Sequence, residues 1–271
     1  MCGIAGFCLN PKEHQRVTVS DLASQMLLDI EHRGQHATGG AWIDSASGKR
    51  VIRKAPVTAT QFVKASDNLG NNAQSCILHT RWATQGSPKD HNNNHPIPHG
   101  KIVLTHNGHI ANDNELFKQL KVKRNGLVDS EAVTALIAHS KAPITEILEQ
   151  VQGTASLAWL ESGAPNVLHL ARLNSSPLWI GLTLAGSLVY GSTEDTIENA
   201  SIIIGSDLDW KYRASEGEYF KVKDGVIAEY AQFKPYRNTR DWSWETMSAH
   251  TNTKRNFDLD AWWDEQEELA F

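Results

Sequence analysis

Cysteine is scarce in this chain of 271 residues, and its three cysteines, Cys2, Cys8 and Cys76, are far apart and odd in number. No Cys-x-x-Cys spacing occurs, and a chain of this length seldom depends on disulfides, so we expect reduced thiols. Long apolar runs are also missing, because no stretch approaches the roughly 18 residues that would indicate a membrane span. The N-terminus has neither the basic region nor the apolar core of a secretory signal. We therefore expect a cytoplasmic protein with no membrane partner.

An excess of positive charge is absent as well. The formal net charge is −5, which provides no basic field for a phosphate backbone, so we do not expect nucleic acid as a partner. Apolar residues make up 40% of the chain and charged residues 21%, which is ordinary for a globular protein that buries a core. There is no internal repeat and no low-complexity tract, so the length fits one large domain or two small ones.

The N-terminus holds the residue on which the functional prediction rests. Cys2 directly follows Met1, so removal of Met1 leaves one residue that carries both a thiol and a free α-amine. An α-amine titrates near about 7.7–8.0 and a thiol near about 8.5, so the amine can accept the thiol proton near neutral pH. Cys2 is therefore a candidate nucleophile that needs no separate histidine. The alternative is an ordinary packed cysteine in a first strand.

The predicted elements run from strands through helices to strands, which indicates an α+β fold with helices packed on sheets. Apolar periodicity predicts a first long helix with Ser20 as its N-cap. The segment Ser87–Gly100 is rich in Pro, Asn and His and predicts a long loop. Asn107 and Gly108 predict a turn that ends the following strand. Strands are predicted over residues 3–9, 76–79 and 101–106 and repeatedly from residue 154 onward, and helices over residues 19–30, 113–120, 130–139 and 144–151.

Five short stretches match one protein family in the same order along the chain. They are Cys2-Gly3-Ile4-Ala5-Gly6, His32-Arg33-Gly34-Gln35, His79-Thr80-Arg81-Trp82-Ala83-Thr84, His106-Asn107-Gly108 and Asp129-Ser130-Glu131. Through them the chain resembles the class II glutamine amidotransferase domain, as found in glucosamine-6-phosphate synthase and amidophosphoribosyltransferase. The resemblance covers roughly residues 2–230, which is most of the chain.

The resemblance implies an N-terminal-nucleophile hydrolase fold, a four-layer αββα sandwich in which two antiparallel sheets lie between layers of helices. It also implies hydrolysis of L-glutamine to glutamate and ammonia, in which Cys2 attacks the γ-amide and forms a thioester. The family's reaction implies no cofactor and no metal.

The same resemblance implies roles for the matching residues. Asn107 and Gly108 would form the oxyanion hole, and Arg81 would hold the α-carboxylate of glutamine through a bidentate contact. Asp129 would hold the α-ammonium group. The remaining matching residues would lie around the nucleophile, Trp82 and Thr84 on the loop that covers glutamine and Arg33 and Gly34 at the turn that positions Cys2.

Structural roles remain open for several of these residues. Arg81 also fits a surface ion pair, and Asn107 with Gly108 also fits a plain hairpin turn. Asp129 also fits the N-cap of the helix predicted over residues 130–139. We favour the functional interpretation because these residues occur together with Cys2.

Two departures from the family pattern bear on function. Gln85 stands where synthases of the family often have histidine, so an acid–base role at this position is in doubt. The segment after residue 235 is too short for a domain that would use the ammonia, so we expect a separate ammonia-accepting enzyme as a partner. Two alternatives stay open: a stand-alone γ-glutamyl amidohydrolase that acts on another γ-glutamyl amide, and an inactive scaffold subunit if Met1 is retained.

A histidine-rich segment raises the question of a metal site, because imidazole is a common zinc ligand. His91, His95 and His99 are spaced four residues apart, as ligands on one face of a helix would be. Pro96 and Pro98 exclude a helix there. We therefore predict no metal site.

A change in composition near Pro235 predicts a glutaminase domain over residues 2–234 and a tail over residues 235–271. The tail contains four of the nine tryptophans, and its last 16 residues hold six acidic side chains and no Lys or Arg. Leu259, Trp262, Trp263 and Gln266 predict an amphipathic helix with an acidic opposite face. This helix either packs on the domain itself or binds a partner through its aromatic residues.

Overall fold

The computed structural model of this protein describes residues 1–236. Within them the chain forms thirteen β-strands, seven α-helices and two short 3-10 helices. The strands are β1 (Gly3–Cys8), β2 (Ala37–Asp44), β3 (Arg50–Ala55), β4 (Ala73–Arg81), β5 (Ile97–His99), β6 (Ile102–Ile110), β7 (Gly153–Glu161), β8 (Val167–Arg172), β9 (Trp179–Thr183), β10 (Leu188–Gly191), β11 (Leu208–Arg213), β12 (Glu218–Lys223) and β13 (Val226–Gln232). The α-helices are α1 (Pro11–His14), α2 (Val19–Asp29), α3 (Ala59–Lys64), α4 (Asp113–Leu120), α5 (Ser130–His139), α6 (Ile144–Glu149) and α7 (Glu194–Ile204).

The strands form two sheets, and every strand pair in residues 1–236 is antiparallel. Sheet A has seven strands in the order β11-β9-β10-β1-β4-β2-β3, and sheet B has six in the order β13-β12-β8-β7-β6-β5. In sheet A, Gly3 of β1 lies opposite Thr80 of β4. Because the two strands run in opposite directions, the residue before Gly3 meets the residues that follow Thr80. This register places Cys2 beside Arg81 and Trp82.

Helices cover the outer face of each sheet. Helices α2, α3 and α7 pack on sheet A, where Met26, Phe62 and Ile197 belong to one buried core. Helices α4, α5 and α6 pack on sheet B around a second core that includes Leu136 and Ile147. The other two faces lie against each other, with β4 next to β6 and β7. This arrangement confirms the predicted αββα sandwich of two antiparallel sheets.

The predicted cap of the first long helix is wrong. Helix α2 begins at Val19, and Thr18 occupies the N-cap position with an extended backbone. The carbonyl oxygen of Thr18 accepts from the N–H groups of Asp21 and Leu22, so the first turn closes around Thr18. Ser20 therefore lies inside the helix. None of the helices in residues 1–236 is both long and apolar enough to cross a membrane.

Strand β6 continues through the point at which the sequence predicted a turn. Asn107 and Gly108 lie inside the strand, opposite Ser156 and Ala155 of β7. Gly108 has a φ of +146°, and a Cβ atom at this position would lie 1.9 Å from the carbonyl oxygen of Thr154. Only glycine allows β6 and β7 to approach so closely. The hairpin-turn alternative for Asn107 and Gly108 is therefore wrong.

Two other elements differ from the sequence prediction. The segment Ser87–Gly100 is not a loop throughout, because it contains a 3-10 helix at His91–Asn93 and strand β5, which pairs with β6. Strand β11 was not predicted at all. It is an edge strand in which half-buried and exposed residues alternate, and its exposed positions include Asp209 and Arg213. The alternation of apolar and polar residues that predicts a strand is weak in the sequence of such an edge strand.

The described chain ends in a stretch that packs onto the domain. Phe233 is buried in the core of sheet B, and its N–H donates to the carbonyl of Gly217. The carbonyl oxygen of Tyr236 accepts from the side-chain amide of Asn174 at 3.2 Å. A truncation after Gln232 would remove these contacts, whereas a truncation after Tyr236 keeps them. The predicted Trp-rich helix lies outside the described residues.

Candidate active site

The Cys2 thiol lies against the backbone that follows β4. The Trp82 N–H donates to Cys2 Sγ at 3.4 Å, and Sγ lies 3.6 Å from the carbonyl oxygen of Trp82. Burial raises the pKa of the Cys2 thiol, and the Trp82 N–H, the N-terminal charge and Arg81 lower it in part. Cys2 is a half-buried residue, and the environment of its thiol includes one backbone hydrogen-bond donor, the Trp82 N–H.

Arg33 and Gly34 both contact the backbone around Cys2. Arg33 Nε donates to the carbonyl oxygen of Cys2 at 3.0 Å. A Cβ atom on Gly34 would lie 2.4 Å from the carbonyl carbon of Arg81 and 2.7 Å from the nitrogen of Trp82. Only glycine therefore lets this turn pack against the segment that contacts the thiol.

Asn107 is buried, with 2% of its surface exposed, and its amide nitrogen Nδ2 has no hydrogen-bond partner within residues 1–236. A buried donor without a partner costs about 1–3 kcal/mol, so such donors are uncommon unless a ligand or water completes them. The geometry agrees with the predicted oxyanion-hole donor but does not test it. Gly108, the next residue, is exposed.

Arg81 is 3% exposed, which contradicts the alternative of a surface ion pair. Its guanidinium donates to Asn94 Oδ1 at 2.8 Å, to the carbonyl of Gly86 at 3.0 Å and to the carbonyl of Gln85. Burial lowers the pKa of Arg81, and electrostatic interaction with Cys2 and Asp129 raises it. The side chain is thus fixed in direction and lies close enough to Cys2 to interact with it electrostatically.

Asp129 serves as the N-cap of α5, as the structural alternative predicted. Its Oδ1 accepts from the Ser130 N–H at 2.8 Å, and its Oδ2 accepts from the Ile110 N–H at 2.7 Å. His109 Nδ1 lies 3.5 Å from Oδ2, and the carboxylate keeps 13% of its surface exposed. Asp129 therefore links β6 to α5, and its predicted contact with the α-ammonium group of glutamine stays a prediction.

Trp82 and Thr84 lie on an exposed loop after β4. The Trp82 side chain is 48% exposed, and its ring lies tilted against that of His36 with centroids 4.9 Å apart. Thr84 is exposed. The structure thus joins Cys2 to Arg33 and Trp82 by hydrogen bonds and packs Gly34 against the peptide group between Arg81 and Trp82.

Several residues around the site were not predicted from the sequence. Asn94 is fully buried and supports Arg81, while its own amide donates to the carbonyl of Pro88 at 2.6 Å. The Glu131 carboxylate accepts from the N–H groups of Asn125 and Gly126, which fixes the loop before Asp129. A run of three asparagines at residues 92–94 was the available signal, since buried amides often fix loops by side-chain to backbone bonds.

Three histidines lie buried between the two sheets. His79 Nε2 donates to the carbonyl of His106 at 3.1 Å, and the ring of His79 stacks on that of His95 at 4.1 Å. His79 Nδ1 and both ring nitrogens of His95 have no partner within residues 1–236. No group of three or more His, Cys, Asp or Glu side chains in that range is arranged to hold a metal ion.

Three buried histidines and the half-buried His169 make the fold sensitive to acid. Burial lowers the pKa of His79 to about 3 and that of His169 to about 4, and it also lowers the pKa of His95 and His106. The unfolded chain takes up these protons near pH 6.5, whereas the folded chain does not. Stability is therefore full above about pH 6.5 and falls as the pH drops towards 4, by up to about 1.4 kcal/mol per pH unit for each histidine.

Thermal unfolding measured between pH 7 and pH 4.5 checks this expectation. His169→Gln should make the decrease in Tm with falling pH shallower. The control is His91→Gln, which removes an imidazole at an exposed position. A Tm that does not change over this range would show that the buried histidines are protonated in the folded state.

Known proteins are similar to this chain in sequence. Residues 79–199 match a family model described as a glutamine amidotransferase domain. Over 269 aligned residues, the chain is 33% identical to a glutamine–fructose-6-phosphate aminotransferase (isomerizing) from Wigglesworthia glossinidia brevipalpis, covering 95% of this chain. The chain contains a class II glutamine amidotransferase domain. The predicted family is thereby confirmed.

The amidotransferase domain is similar to only part of these relatives. The chain spans 41% of the length of the Wigglesworthia enzyme. It is also 35% identical to an enzyme of the same name from Pyrococcus horikoshii, over 67% of this chain and 31% of that relative.

Solved structures agree on the fold. A glutamine phosphoribosylpyrophosphate amidotransferase from B. subtilis has a TM-score of 0.69 at 20% identity, over 88% of this chain and 50% of that chain. A glutamine aminotransferase class-II domain protein from Silicibacter pomeroyi has a TM-score of 0.53 at 14% identity and is covered over its full length. At these identities the likeness supports the architecture of the amidotransferase domain.

Proposed function

We propose that the amidotransferase domain hydrolyses L-glutamine to glutamate and ammonia through a thioester on Cys2, and that the ammonia passes to a separate acceptor enzyme. The observation that carries the proposal is a thiol held by the Trp82 N–H in a fold that also buries an unpartnered amide donor on Asn107. Cys2 supplies the attacking sulfur, and Asn107 supplies a donor for the carbonyl oxygen that becomes negative.

The reaction has two steps. Cys2 Sγ attacks the γ-carbonyl carbon of glutamine while the thiol proton passes through the α-amine to the leaving nitrogen, which departs as ammonia. Water then attacks the thioester, which releases glutamate and restores the thiol. In both steps the carbonyl oxygen becomes an oxyanion, and Asn107 Nδ2 and the Gly108 N–H donate to it.

The other predicted site residues bind the unreacting end of glutamine, cover the substrate or hold Cys2. The buried Arg81 guanidinium, oriented by Asn94, supplies a fixed cation for the α-carboxylate. Asp129 supplies the negative charge for the α-ammonium group, and Trp82 and Thr84 lie on the loop that covers the substrate. Arg33 and Gly34 keep Cys2 in place.

Replacement of Arg81 by lysine should raise KM for glutamine by about tenfold or more. Lysine keeps the charge but cannot form a bidentate contact, and it cannot reproduce the bonds to Asn94 and Gly86. Steady-state kinetics measure this effect, and Arg53→Lys on the exposed face of β3 is the matched control. An unchanged KM in Arg81→Lys would mean that the α-carboxylate is bound elsewhere.

Glutaminase activity itself is tested by release of glutamate from glutamine by the purified chain, with the N-terminal mass measured in the same sample. Loss of Met1 is required for the proposed proton transfer, because only then does Cys2 carry a free α-amine. A comparison with other γ-glutamyl amides in the same assay separates glutaminase from γ-glutamyl amidohydrolase activity. A processed protein that hydrolyses none of these amides would contradict the proposal.

The proposed acceptor enzyme follows from the chemistry of ammonia. Ammonia released into water near neutral pH is mostly protonated and loses its nucleophilicity, so delivery to a bound acceptor is more efficient.

We include a cytoplasmic location in the proposal, and the free state of Cys2, Cys8 and Cys76 supports it.

Truncation after Tyr236 should leave glutamine hydrolysis largely intact and weaken capture of the acceptor enzyme, because residues 233–236 and their core contacts remain. The glutaminase rate and pull-down from the native host are compared for the full chain and the truncated chain. A truncated chain that unfolds would instead indicate that the tail stabilises its own domain.

A further inference from the structure

His36 contacts both peptide groups that touch the Cys2 thiol. Its backbone N–H donates to the carbonyl oxygen of Arg81 at 3.0 Å. Its side-chain Nδ1 accepts from the N–H of Ala83 at 2.9 Å. The first of these bonds holds the Arg81–Trp82 peptide group, and the second holds the Trp82–Ala83 peptide group.

Each of these peptide groups presents one atom to the thiol. The Arg81–Trp82 peptide supplies the Trp82 N–H, which donates to Cys2 Sγ at 3.4 Å. The Trp82–Ala83 peptide supplies the Trp82 carbonyl oxygen, 3.6 Å from Sγ. Because a peptide group is planar, a bond that fixes one of its polar atoms also fixes the direction of the other.

The His36 ring also supports the Trp82 side chain. The two ring centroids are 4.9 Å apart, at an interplanar angle of 35°. The imidazole therefore has two separate contacts, a hydrogen bond through Nδ1 and a packing contact through the ring face. Ala83 N–H is a donor to Nδ1, so His36 Nδ1 carries no proton in this arrangement.

We propose that His36 is a positioning residue for the nucleophile, and that its Nδ1 holds the Trp82–Ala83 peptide so that Trp82 presents a fixed pair of backbone groups to the Cys2 thiol. The proposal rests on the proposed function for its catalytic consequence. Its effect on the thiol itself is independent of glutamine.

Two substitutions separate the hydrogen bond from the packing contact. His36→Asn keeps an acceptor near the position of Nδ1 but removes the ring. His36→Phe keeps a ring against Trp82 but removes the acceptor. His32, in the preceding 3-10 helix, is exposed, and its ring donates to the Asp29 carbonyl at the end of α2, so His32→Phe is the matched control.

The test measures two quantities in each variant. One is the rate at which iodoacetamide alkylates Cys2, followed by peptide mass spectrometry, in which the buried Cys8 and Cys76 serve as internal references. The other is kcat and KM for glutamine. We expect His36→Phe to lower both the alkylation rate and kcat by roughly five- to tenfold, as loss of one hydrogen bond of about 1 kcal/mol predicts. His36→Asn should restore both to within about twofold of the wild type, and any rise in KM should be larger in His36→Asn, which lacks the ring.

The outcomes are distinct. Equal alkylation rates in His36→Phe, His36→Asn and the wild type would overturn the proposal. Equal losses in both variants would also overturn it, because the ring and not Nδ1 would then be responsible. If the wild type fails to hydrolyse glutamine but His36→Phe alone slows alkylation, the positioning role stands and the proposed function fails.

Discussion

Cys2→Ala is expected to abolish glutamine hydrolysis, with a loss of at least about 10⁴-fold in kcat. The sulfur forms the covalent bond in both steps of the proposed reaction, and no other thiol can replace it, because Cys8 and Cys76 are buried. Cys2→Ser should leave at most a trace of activity, since a hydroxyl is far less readily ionised than a thiol. Release of glutamate, measured with the enzyme in excess over any contaminating glutaminase, decides the result.

Cys8→Ala is the matched control for this experiment. Cys8 lies at the other end of the same strand, where its sulfur accepts from the Gly225 N–H at 3.3 Å. Its replacement should lower Tm and leave the rate unchanged. A wild-type rate in Cys2→Ala would disprove the thioester mechanism, and a large loss in Cys8→Ala would show that the assay reports stability instead.

The second large effect is expected for Asn107→Ala, which should lower kcat by about 10²–10³ with little change in KM. The amide donates to an oxygen that is fully negative only in the transition state, so its loss affects the rate more than binding. The stability of the fold, unlike kcat, should not decrease. Nδ2 is a buried donor without a partner in residues 1–236, so its removal relieves a desolvation cost and Tm should not fall.

Asn112→Ala provides the contrast. Asn112 is also buried, but both ends of its amide are bonded, Nδ2 to the carbonyl of Gln150 at 2.9 Å and Oδ1 to the N–H of Gln152 at 3.0 Å. We expect this variant to lose stability and keep its kcat. If Asn107→Ala instead behaves like Asn112→Ala, Asn107 is a structural residue and the oxyanion donor is another group.

Local chemistry made parts of the site predictable from the sequence. Cys2, Gly34 and Arg81 occur in short motifs that match the family. The pairing of β4 with β1 and with β2 brings these motifs together. The helices α4 and α5 were also predicted, and the structure gives them the predicted bounds, Asp113–Leu120 and Ser130–His139.

What could not be predicted depends on contacts between distant segments. The dipeptide Asn107-Gly108 predicts a turn because Asn-Gly favours one locally. Only pairing with β7 keeps β6 extended there. The run of asparagines at residues 92–94 indicates a fixed loop, but it does not indicate that Asn94 supports Arg81, 13 residues away. His36 contacts Ala83 across 47 residues, so its part in the site is visible only in the folded chain.

The location of the site on two different sheets has a mechanical consequence. Cys2 precedes a strand of sheet A and Asn107 lies within a strand of sheet B, so the distance between the sulfur and the proposed oxyanion donor depends on the spacing between the sheets. Close-packed interiors resist compression, and their spacing follows the volumes of the side chains between the layers. We therefore expect the side chains buried between the sheets to influence turnover as spacers, although they are not part of the proposed chemistry. Evolution or design can tune the rate of such an enzyme by changing the thickness of its interior while leaving every reacting group in place.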